Sequence, residues 1–384
     1  DNGDRRGKQC QRRRTGRRAG IARTDRVSDD HIDDLNDGGP DSRHAGARSR
    51  GCALHAGPAT AAPGRDAHRR GRRVLRWRWR FGCDACARGP NRLGAYPKFR
   101  LVRRDTFAAM GTVIDVTGTS AVAIADTRRI FEHVDSTCSR FLPSSELCRI
   151  NASAADSVDL SPLMVSVMTA ADRARTLTSG LVDAGIGEAV RSWGYDRSFE
   201  EVADRDSVET SLPGQRAAWG VDGSVLTRKP GTRIDLGGIA KGWTSDLAVE
   251  QGFASIVSAG GDVRSAVPGA RVEVVDPWGD VAATTHIGIG ALATSSVARR
   301  RWRVGEREVS HLIDPRTMEP TDSPILQASA ITETALEAEA AAKAILLRGV
   351  DGLAWADRQS WIHGAIAVWQ DGNVYATTGV EMAA

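Results

Sequence analysis

Long apolar runs, signal-peptide patterns and paired cysteines are all scarce in this chain of 384 residues. No stretch of about 18 apolar residues exists, so no transmembrane helix is predicted, and no signal peptide is visible at the start or near Tyr96. Cys83 and Cys86 form a lone C-x-x-C, which without a second pair is a weak metal or redox signal. Farther along, only Cys138 and Cys148 remain. We therefore expect a reducing, cytoplasmic location, with association with the cell envelope as the alternative.

The two commonest phosphate-binding loops are also absent. The segment Asp235–Trp243 (DLGGIAKGW) contains three glycines and Lys241. It lacks the G-x-x-x-x-G-K-[ST] spacing of a Walker loop and the G-x-G-x-x-G spacing of a Rossmann loop. The segment follows a β-like run and opens a helical pattern, so its amide groups are expected to favour an anion. A tight strand–helix turn with a surface lysine is the alternative.

Charge is divided unevenly along the chain. Residues 1–104 contain 27 Lys and Arg against 11 Asp and Glu, whereas the remainder contains 25 basic and 37 acidic residues. Residues 1–98 have no apolar period and cannot bury enough apolar surface to offset their ordering entropy. We expect a disordered Arg-rich extension there, followed by one domain at 99–384. Binding of nucleic acid or an anionic membrane around Trp77 and Trp79 is one interpretation of the extension; an artefactual segment is the other.

The remaining sequence predicts an α+β fold. Ser120 and Ser161 are expected to cap helices, as is Thr332 at the start of a helix spanning Glu333–Arg348. Because the predicted strands come in runs rather than in strict βαβ order, we expect a mixed, largely antiparallel sheet packed with helices. The predicted strands are Thr106–Val116, two between 221 and 236 separated by 229–231, then 255–259, 271–276, 286–297, 301–304, 308–313 and a hairpin over 361–377.

Small residues surround two candidate carboxylates. Asp183 lies in the apolar segment Leu181–Gly187, which is predicted to be a strand. Its carboxylate suits an adenine amine or a ribose, and an Asx turn is the alternative. Gly260, Gly261 and Asp262 follow a second buried strand. They suit a turn against ribose or adenine, although a plain turn is favoured there.

The segment His311–Thr317 (HLIDPRT) combines an imidazole, a carboxylate and a guanidinium at the end of an apolar run. The proline within it ends the strand, because it fixes φ and lacks an N–H. His311 is therefore a candidate general base, and Asp314 and Arg316 are expected to set its charge and to position a phosphate. A capped turn at a strand end is the alternative.

Glu339 and Lys343 are four residues apart on a predicted helix and therefore share one face. One interpretation is an ion pair worth roughly 0.3–0.5 kcal/mol. The other makes Glu339 an oxygen ligand for Mg²⁺ near a diphosphate, since carboxylates are the ligands that this ion prefers. The alanines around Glu339 leave room for close approach and favour the second interpretation.

Taken together and in order, these segments resemble the FAD:protein FMN transferases, the ApbE family. The resemblance spans nearly all of residues 105–377. It implies an Mg²⁺-dependent enzyme that transfers FMN from FAD to a threonine or serine hydroxyl of a partner protein, releasing AMP. The segments that carry it are Phe107–Thr112, Cys138–Phe141, Ser145–Leu147, Asn151, Asp183–Gly187, Trp193–Gly194, Asp235–Trp243, Ala259–Asp262, His311–Thr317 and Ala335–Gly349.

The resemblance also implies a role for each matching residue. His311 would take the proton of the acceptor hydroxyl, and Mg²⁺ would be held by Gly238 and Glu339. The isoalloxazine ring would contact Met110 and Phe141. The FAD pocket would be lined or flanked by Leu181, Val182, Asp183, Asp235, Lys241, Gly260, Gly261, Asp262, Asp314 and Arg316.

The helix around Glu339 departs from the family pattern. Family members usually have Ala-Asp there, with a threonine or serine four residues after the aspartate, whereas this chain has Ala338-Glu339 and Lys343. An ammonium group cannot ligate Mg²⁺. Either Lys343 supplies part of the charge of the cation, or the site is altered. Met318 also replaces a usual glycine.

Three other functions stay open at this point. Hydrolysis of FAD to FMN and AMP needs the same pocket, with water as the acceptor. A non-catalytic FAD-binding protein would follow if the change at Lys343 abolished metal use. Residues 1–98 could bind nucleic acid, although no specific nucleic acid is expected as a partner. No acceptor segment of the Asp-Ser/Gly-x-Thr-Ser/Gly-Ala kind stands out in the chain, so self-flavinylation is not expected.

Overall fold

A computed structural model describes residues 103–208 and 218–380 of the chain. These residues belong to the second of two units, Val74–Ala384, into which the backbone divides. The expectations for residues 1–98, including the pair Cys83 and Cys86, lie outside the described residues. Within the described ranges, no helix combines the length and apolar character that crossing a bilayer requires.

An eight-stranded sheet organises the described residues, and every neighbouring pair of its strands is antiparallel. With strands numbered along the chain, the spatial order is β1-β2-β6-β7-β10-β15-β16-β17. This confirms the predicted α+β fold with a largely antiparallel sheet. The strands are β1 (Arg103–Ala109), β2 (Thr112–Gly118), β6 (Ile256–Ala259), β7 (Asp262–Ser265), β10 (Gly290–Ser296), β15 (Ile325–Thr332), β16 (Ile362–Trp369) and β17 (Val374–Ala376).

Smaller antiparallel sheets carry the other strands, in the orders β3-β5-β4, β8-β9, β11-β12 and β13-β14. Their bounds are β3 (Ser157–Asp159), β4 (Trp219–Asp222), β5 (Val225–Arg228), β8 (Arg271–Val275), β9 (Val281–His286), β11 (Arg301–Val304), β12 (Arg307–Ser310), β13 (Ile313–Asp314) and β14 (Glu319–Pro320). The helices are α1 (Ala121–Cys138), α2 (Glu146–Ala152), α3 (Pro162–Leu177), α4 (Gly187–Ser192), α5 (Ala240–Glu250), α6 (Ala335–Arg348) and α7 (Gly352–Asp357).

Two of the three predicted helix caps are confirmed. The Ser120 hydroxyl accepts the Ala123 amide at 3.1 Å, and Ser161 begins α3 in the same way. Thr332 was expected to begin α6, but it is the last residue of β15, where it pairs with β16. Thr334 caps the helix instead. The strand extends to Thr332 because its neighbours supply hydrogen bonds there, which the sequence pattern does not reveal.

Helix α6 packs against β10 and β15. Small side chains allow close approach, since Ala335 and Ala338 pack against alanines of β10. Helix α5 crosses α6 so tightly that a Cβ on Gly242 would lie 2.8 Å from the Ala335 carbonyl oxygen. Asp246 on α5 accepts the Ala335 amide at 2.7 Å at the positive end of α6. These contacts fix the first turns of α5 beside the buried face of α6.

The predicted strand Thr106–Val116 is wrong as a single element, because it is the hairpin β1–β2. Met110 and Gly111 form its turn with φ of 51° and 67°. Positive φ at both central residues gives the turn geometry whose twist matches a hairpin. The Met110 amide donates to Asp135 Oδ2 at 2.9 Å, which supports the unusual backbone of a non-glycine residue.

Two further strand predictions are corrected. The separator between β4 and β5 is the turn after Asp222, not residues 229–231, and no strand follows β5 before α5. The segment Leu181–Gly187 is a loop rather than a strand, and its β-type pairing is limited to an isolated bridge between Ile186 and Arg233. Both segments are apolar because they are buried as loops, so their composition resembled that of strands.

Candidate functional site

Four charged side chains meet between α5, α6 and the turn that joins β6 to β7. Glu339 Oε1 accepts from Lys241 Nζ at 2.6 Å and from Lys343 Nζ at 3.0 Å. Lys241 Nζ also lies 3.3 Å from Asp262 Oδ2. We call Lys241, Asp262, Glu339 and Lys343 the charge cluster. The sequence placed three of these residues in one site, and the structure brings all four together.

The charge cluster is layered, with its carboxylates beneath its ammonium groups. The side chains of Glu339 and Asp262 are 3% and 6% exposed, whereas those of Lys241 and Lys343 are 20% and 16% exposed. The positive groups are therefore the part of the cluster that an incoming molecule can touch. Such an arrangement favours an anion, since the carboxylates position the lysines from below.

Opposite charges keep Glu339 and Lys241 ionised despite their burial. Burial acts to raise the pKa of Glu339, but Lys241 and Lys343 outweigh it and hold that pKa at about 2. Burial likewise acts to lower the pKa of Lys241, and the two carboxylates raise it above its ordinary value instead. Burial raises the pKa of Asp262, which Lys241 opposes.

Amide groups of the loop before α5 and of the first turn of α5 already have acceptors. In the loop, Asp235 Oδ1 accepts the Gly237 amide at 2.7 Å; in the first turn of α5, Glu339 Oε2 accepts the Gly242 amide at 3.2 Å. Helix α5 begins at Ala240, so Gly238 lies in this loop. Much of the positive character of the segment therefore comes from the Lys241 side chain rather than from unpaired amides.

Asp183 is buried and already has two hydrogen-bond donors. Its Oδ1 accepts the Gly185 amide at 2.8 Å, which is an Asx turn, and the Trp219 indole N–H at 2.7 Å. The loop also joins the segment before α5, because the Asp235 amide donates to the Ala184 carbonyl at 2.7 Å. Leu181 and Val182 are buried in two different core clusters on either side of this loop.

A series of contacts through Arg140 and the aromatic ring of Tyr195 links Asp235 to His311. Arg140 Nε lies 3.1 Å from Asp235 Oδ2, and its guanidinium lies 4.2 Å from the ring centroids of both Phe141 and Tyr195. The edge of the Tyr195 ring contacts His311, with 6.4 Å between centroids. Sequence reasoning missed Arg140 and Tyr195 as site residues. The available signal was their position, since Arg140 lies within the matching segment Cys138–Phe141 and Tyr195 follows Trp193–Gly194 directly.

His311 follows β12 directly, whereas the predicted strand 308–313 included it, and its ring is partly buried. Its Nδ1 atom is buried and has no hydrogen-bond partner among the described residues. Burial lowers the pKa of His311 to about 3, and the positive charges of Arg300, Lys343 and Lys241 act in the same direction. The imidazole is therefore neutral at neutral pH, and two of the charges that it senses belong to the charge cluster.

Asp314 and Arg316 bind each other, with Arg316 Nη2 2.6 Å from Asp314 Oδ2. Arg316 also donates to the Leu347 carbonyl at 2.7 Å, at the negative end of α6. The groups that lower the pKa of His311 are other residues. The expectation that this pair sets the charge of His311 is thus replaced by a structural role, in which the pair ties the segment to α6.

Met110 and the turn Gly260–Gly261 lie at the same end of the sheet. The start of β2 is adjacent to the end of β6, where Ile114 pairs with Ala259. A Cβ on Gly260 would lie 2.7 Å from the Thr112 hydroxyl, so only glycine permits this approach. The predicted turn is therefore confirmed, and Asp262 at its end contributes to the charge cluster.

A separate cavity of about 410 Å³ contains none of the residues predicted for the site. Some of the charged side chains that line it form ion pairs with each other. Asp196 Oδ1 lies 2.9 Å from Arg197 Nε, and Asp196 Oδ2 lies 2.7 Å from Arg205 Nη2. We assign it no part in the chemistry that follows. It is lined by Arg191, Asp196, Arg197, Ala203 and Arg205.

The depressed pKa of His311 predicts a pH-dependent stability. An unfolded histidine takes up a proton near pH 6.5, whereas folded His311 does so only near pH 3. Stability is therefore lost as pH falls below 6.5, by about 2 kcal/mol between pH 7 and pH 5. We expect His311→Asn to remove that part of the loss, as measured by urea unfolding at both pH values. An equal loss in both proteins would contradict the buried neutral state.

Solved structures share the fold of this chain. An ApbE protein from Thermotoga maritima aligns with a TM-score of 0.64 at 24% identity, covering 72% of this chain and 97% of that chain. The flavin transferase ApbE from Vibrio cholerae aligns with a TM-score of 0.60 at 23% identity, with the same coverage. At these identities the similarity establishes the fold.

The chain belongs to the ApbE family, whose sequence model matches residues 110–366. A FAD:protein FMN transferase of Vibrio cholerae serotype O1 is 27% identical over 277 residues, which cover 65% of this chain and 82% of the relative. A FAD:protein FMN transferase of Chlamydia muridarum is 28% identical over 239 residues, covering 56% of this chain and 73% of the relative. The resemblance noted from the sequence is confirmed.

Proposed function

We propose that this chain is an enzyme that transfers FMN from FAD to a threonine or serine hydroxyl of a partner protein. Membership of the ApbE family and the names of the relatives support the reaction. The observation that carries it is the charge cluster, whose Lys241 and Lys343 ammonium groups lie above buried carboxylates and within electrostatic reach of His311. That arrangement suits a diphosphate beside a base.

The proposed position of FAD follows from these contacts. Its diphosphate would lie on the ammonium groups of Lys241 and Lys343, which would offset its negative charge. The isoalloxazine would lie near Met110 and Phe141. The loop around Asp183 would border the remaining part of the pocket, because it is hydrogen-bonded to the segment that precedes Lys241.

The proposed reaction is a single phosphoryl-type transfer. The acceptor oxygen attacks the phosphorus of the FMN half, a new phosphorus–oxygen bond forms, and the bond to the bridging oxygen breaks. That oxygen leaves with AMP, while the hydroxyl proton passes to His311. A bound diphosphate would counter the positive charges near His311 and raise its pKa towards the working pH, where a base is most effective. Positioning and charge neutralisation supply most of the remaining rate enhancement.

The residues expected to hold Mg²⁺ do not fit that ion as they are arranged. Glu339 is already bound by two ammonium groups and one amide. Within the described ranges, no group of three or more His, Cys, Asp or Glu side chains is arranged to hold a metal. A divalent ion 4 Å from an ammonium would also meet about 8 kcal/mol of repulsion at an effective dielectric constant of 20. We therefore assign no step to Mg²⁺.

The proposed reaction is tested by separating its products. We expect the protein to bind FAD and to release AMP when a synthetic Asp-Gly-x-Thr-Gly-Ala acceptor peptide is present. The control peptide carries valine in place of threonine, and it should release little AMP. AMP accompanied by free FMN with either peptide would indicate hydrolysis instead. FAD binding without AMP under any condition would indicate a non-catalytic FAD-binding protein.

Replacing Asp183 tests the location of the pocket. We expect Asp183→Ala to weaken FAD binding about tenfold, equivalent to 1.4 kcal/mol, because the loop loses its Asx turn and leaves the Trp219 indole unpaired. Asp183→Asn is the matched control, since it keeps an oxygen acceptor and should keep most of the affinity. Flavin fluorescence measures both. Unchanged FAD affinity in the alanine variant would mean that the pocket is misplaced.

The cellular setting rests on fewer observations. Cys138 and Cys148 are free thiols, which suits the cytoplasmic compartment expected from the sequence. A partner protein is implied by the proposed reaction, and its identity is not encoded in the described residues. Absence of a specific nucleic-acid partner stays a prediction.

A further inference from the structure

Lys343 lies where the resemblance would place the metal ion, between Gly238 and Glu339. A Cβ on Gly238 would be 2.9 Å from Lys343 Cε and 3.4 Å from Lys343 Nζ. The lysine side chain therefore runs directly against the Gly238 backbone, and the absence of a side chain at Gly238 makes room for it. Lys343 Nζ then reaches Glu339 Oε1 at 3.0 Å. The ammonium thus bridges the two residues that were expected to share a cation.

The charge cluster is balanced without any added ion. Its two ammonium groups face two carboxylates, and each carboxylate is almost fully buried. Glu339 Oε1 accepts from both lysines, and its Oε2 accepts the Gly242 amide. Since the carboxylate has hydrogen-bond donors on both oxygens, little of its capacity is left for an ion. A divalent cation added here would create a net positive buried site next to two ammonium groups.

We propose that the Lys343 ammonium takes the place of a divalent cation, so that this site neutralises a diphosphate without a bound metal. The inference rests on the proposed function for the identity of the diphosphate, but the absence of a metal site does not depend on it. Lys343 is held on one side by Glu339, four residues earlier on the same face of α6, and on the other by Gly238. A fixed positive charge pointing outwards provides the electrostatic part of what a cation supplies.

Removing the ammonium should convert the cluster into a cation site. Lys343→Ser leaves two carboxylates with only Lys241 between them, and it opens space beside Gly238. Carboxylate, hydroxyl and carbonyl oxygens are the ligands that Mg²⁺ and Mn²⁺ prefer. Lys343→Arg keeps the positive charge and should therefore create no cation site. Lys229→Ser removes a lysine that is exposed and distant from the cluster in the sequence, and it serves as the control.

Mn²⁺ binding provides a measurement that is independent of activity. Titration with MnCl₂, followed by electron paramagnetic resonance of the free ion, should detect no stoichiometric site in the unmodified, Lys343→Arg or Lys229→Ser proteins. It should detect one site per chain in Lys343→Ser. Circular dichroism checks that each variant is folded, and Lys343→Gln, which keeps the side-chain length and adds an amide oxygen, replaces the serine variant if that protein unfolds.

AMP release from FAD provides the second measurement. EDTA should leave the unmodified protein unaffected and should slow the Lys343→Ser protein by about 100-fold, with recovery on adding Mg²⁺. One stoichiometric Mn²⁺ in the unmodified protein would overturn the inference, and so would a folded serine variant that binds none. If no AMP is released by the unmodified protein in any buffer, the proposed function fails, while the Mn²⁺ titration still decides whether Lys343 replaces the metal.

Discussion

Replacing His311 with alanine is expected to slow FMN transfer by about 10²–10⁴-fold while leaving FAD binding unchanged, the usual contribution of a positioned general base. His311 is the imidazole within reach of the charge cluster, and its Nδ1 has no hydrogen-bond partner among the described residues. Its pKa of about 3 keeps it neutral in the unbound protein, and a bound diphosphate would raise that pKa so that the imidazole can accept a proton. The His311 ring contacts Tyr195, which is not among the residues assigned to the FAD pocket. We therefore expect truncation of His311 to leave the affinity for FAD unchanged.

The measurement separates binding from chemistry. FAD affinity is obtained from flavin fluorescence, and the rate is obtained from AMP release in the presence of acceptor peptide. His286→Ala is the matched control, because His286 is an exposed residue at the end of β9 and should affect neither quantity. A His311→Ala protein with the rate of the unmodified chain would remove the base assignment. A large loss of FAD affinity would instead assign His311 to binding.

Replacing Glu339 with glutamine should destabilise the fold by about 3–5 kcal/mol, the usual cost of breaking a buried ion pair by removing one partner. Lys241 and Lys343 would both lose their shared carboxylate, and Asp262 alone would face two buried positive charges. Urea unfolding measures the loss. Glu333→Gln is the control, since Glu333 is exposed just before α6 and should change stability by less than about 0.5 kcal/mol.

A second variant tests whether charge imbalance is the cause. Adding Lys343→Met to Glu339→Gln restores one negative and one positive group, so part of the lost stability should return. The coupling between neighbouring positions in such a cycle is typically about 0.5–3 kcal/mol. Additive effects of the two substitutions would contradict an electrostatic cluster. A loss of less than about 1 kcal/mol in Glu339→Gln alone would show that Glu339 is not buried as described.

The fold class could be predicted from the sequence because local signals determine it. Ser120 and Ser161 cap helices through side-chain oxygens close in sequence, and runs of short strands favour an antiparallel sheet. The secondary-structure predictions are wrong where contacts between residues far apart in the sequence determine the backbone conformation. Thr332 belongs to β15 because β16 pairs with it, and the predicted strand around Met110 is a hairpin because Asp135 supports its turn.

The sequence predicts which residues belong to the candidate site, but it does not predict which of their side chains contact each other. The sequence indicates that Glu339 and Lys343 share a helical face, but it does not show that Lys241 joins them from another helix. Asp183 has the Asx turn that was one of its two interpretations, and the indole of Trp219 was unforeseen. Tyr195 was missed because a ring contact with His311 leaves no pattern in the sequence.

Intact-mass spectrometry of an acceptor after incubation with FAD tests the central claim most directly. The synthetic Asp-Gly-x-Thr-Gly-Ala peptide and its valine variant are incubated separately with the full chain and FAD. The account predicts one FMN attached to the threonine peptide, an equal amount of AMP in solution, and no modification of the valine peptide. An unmodified threonine peptide with AMP and free FMN accumulating together would contradict it.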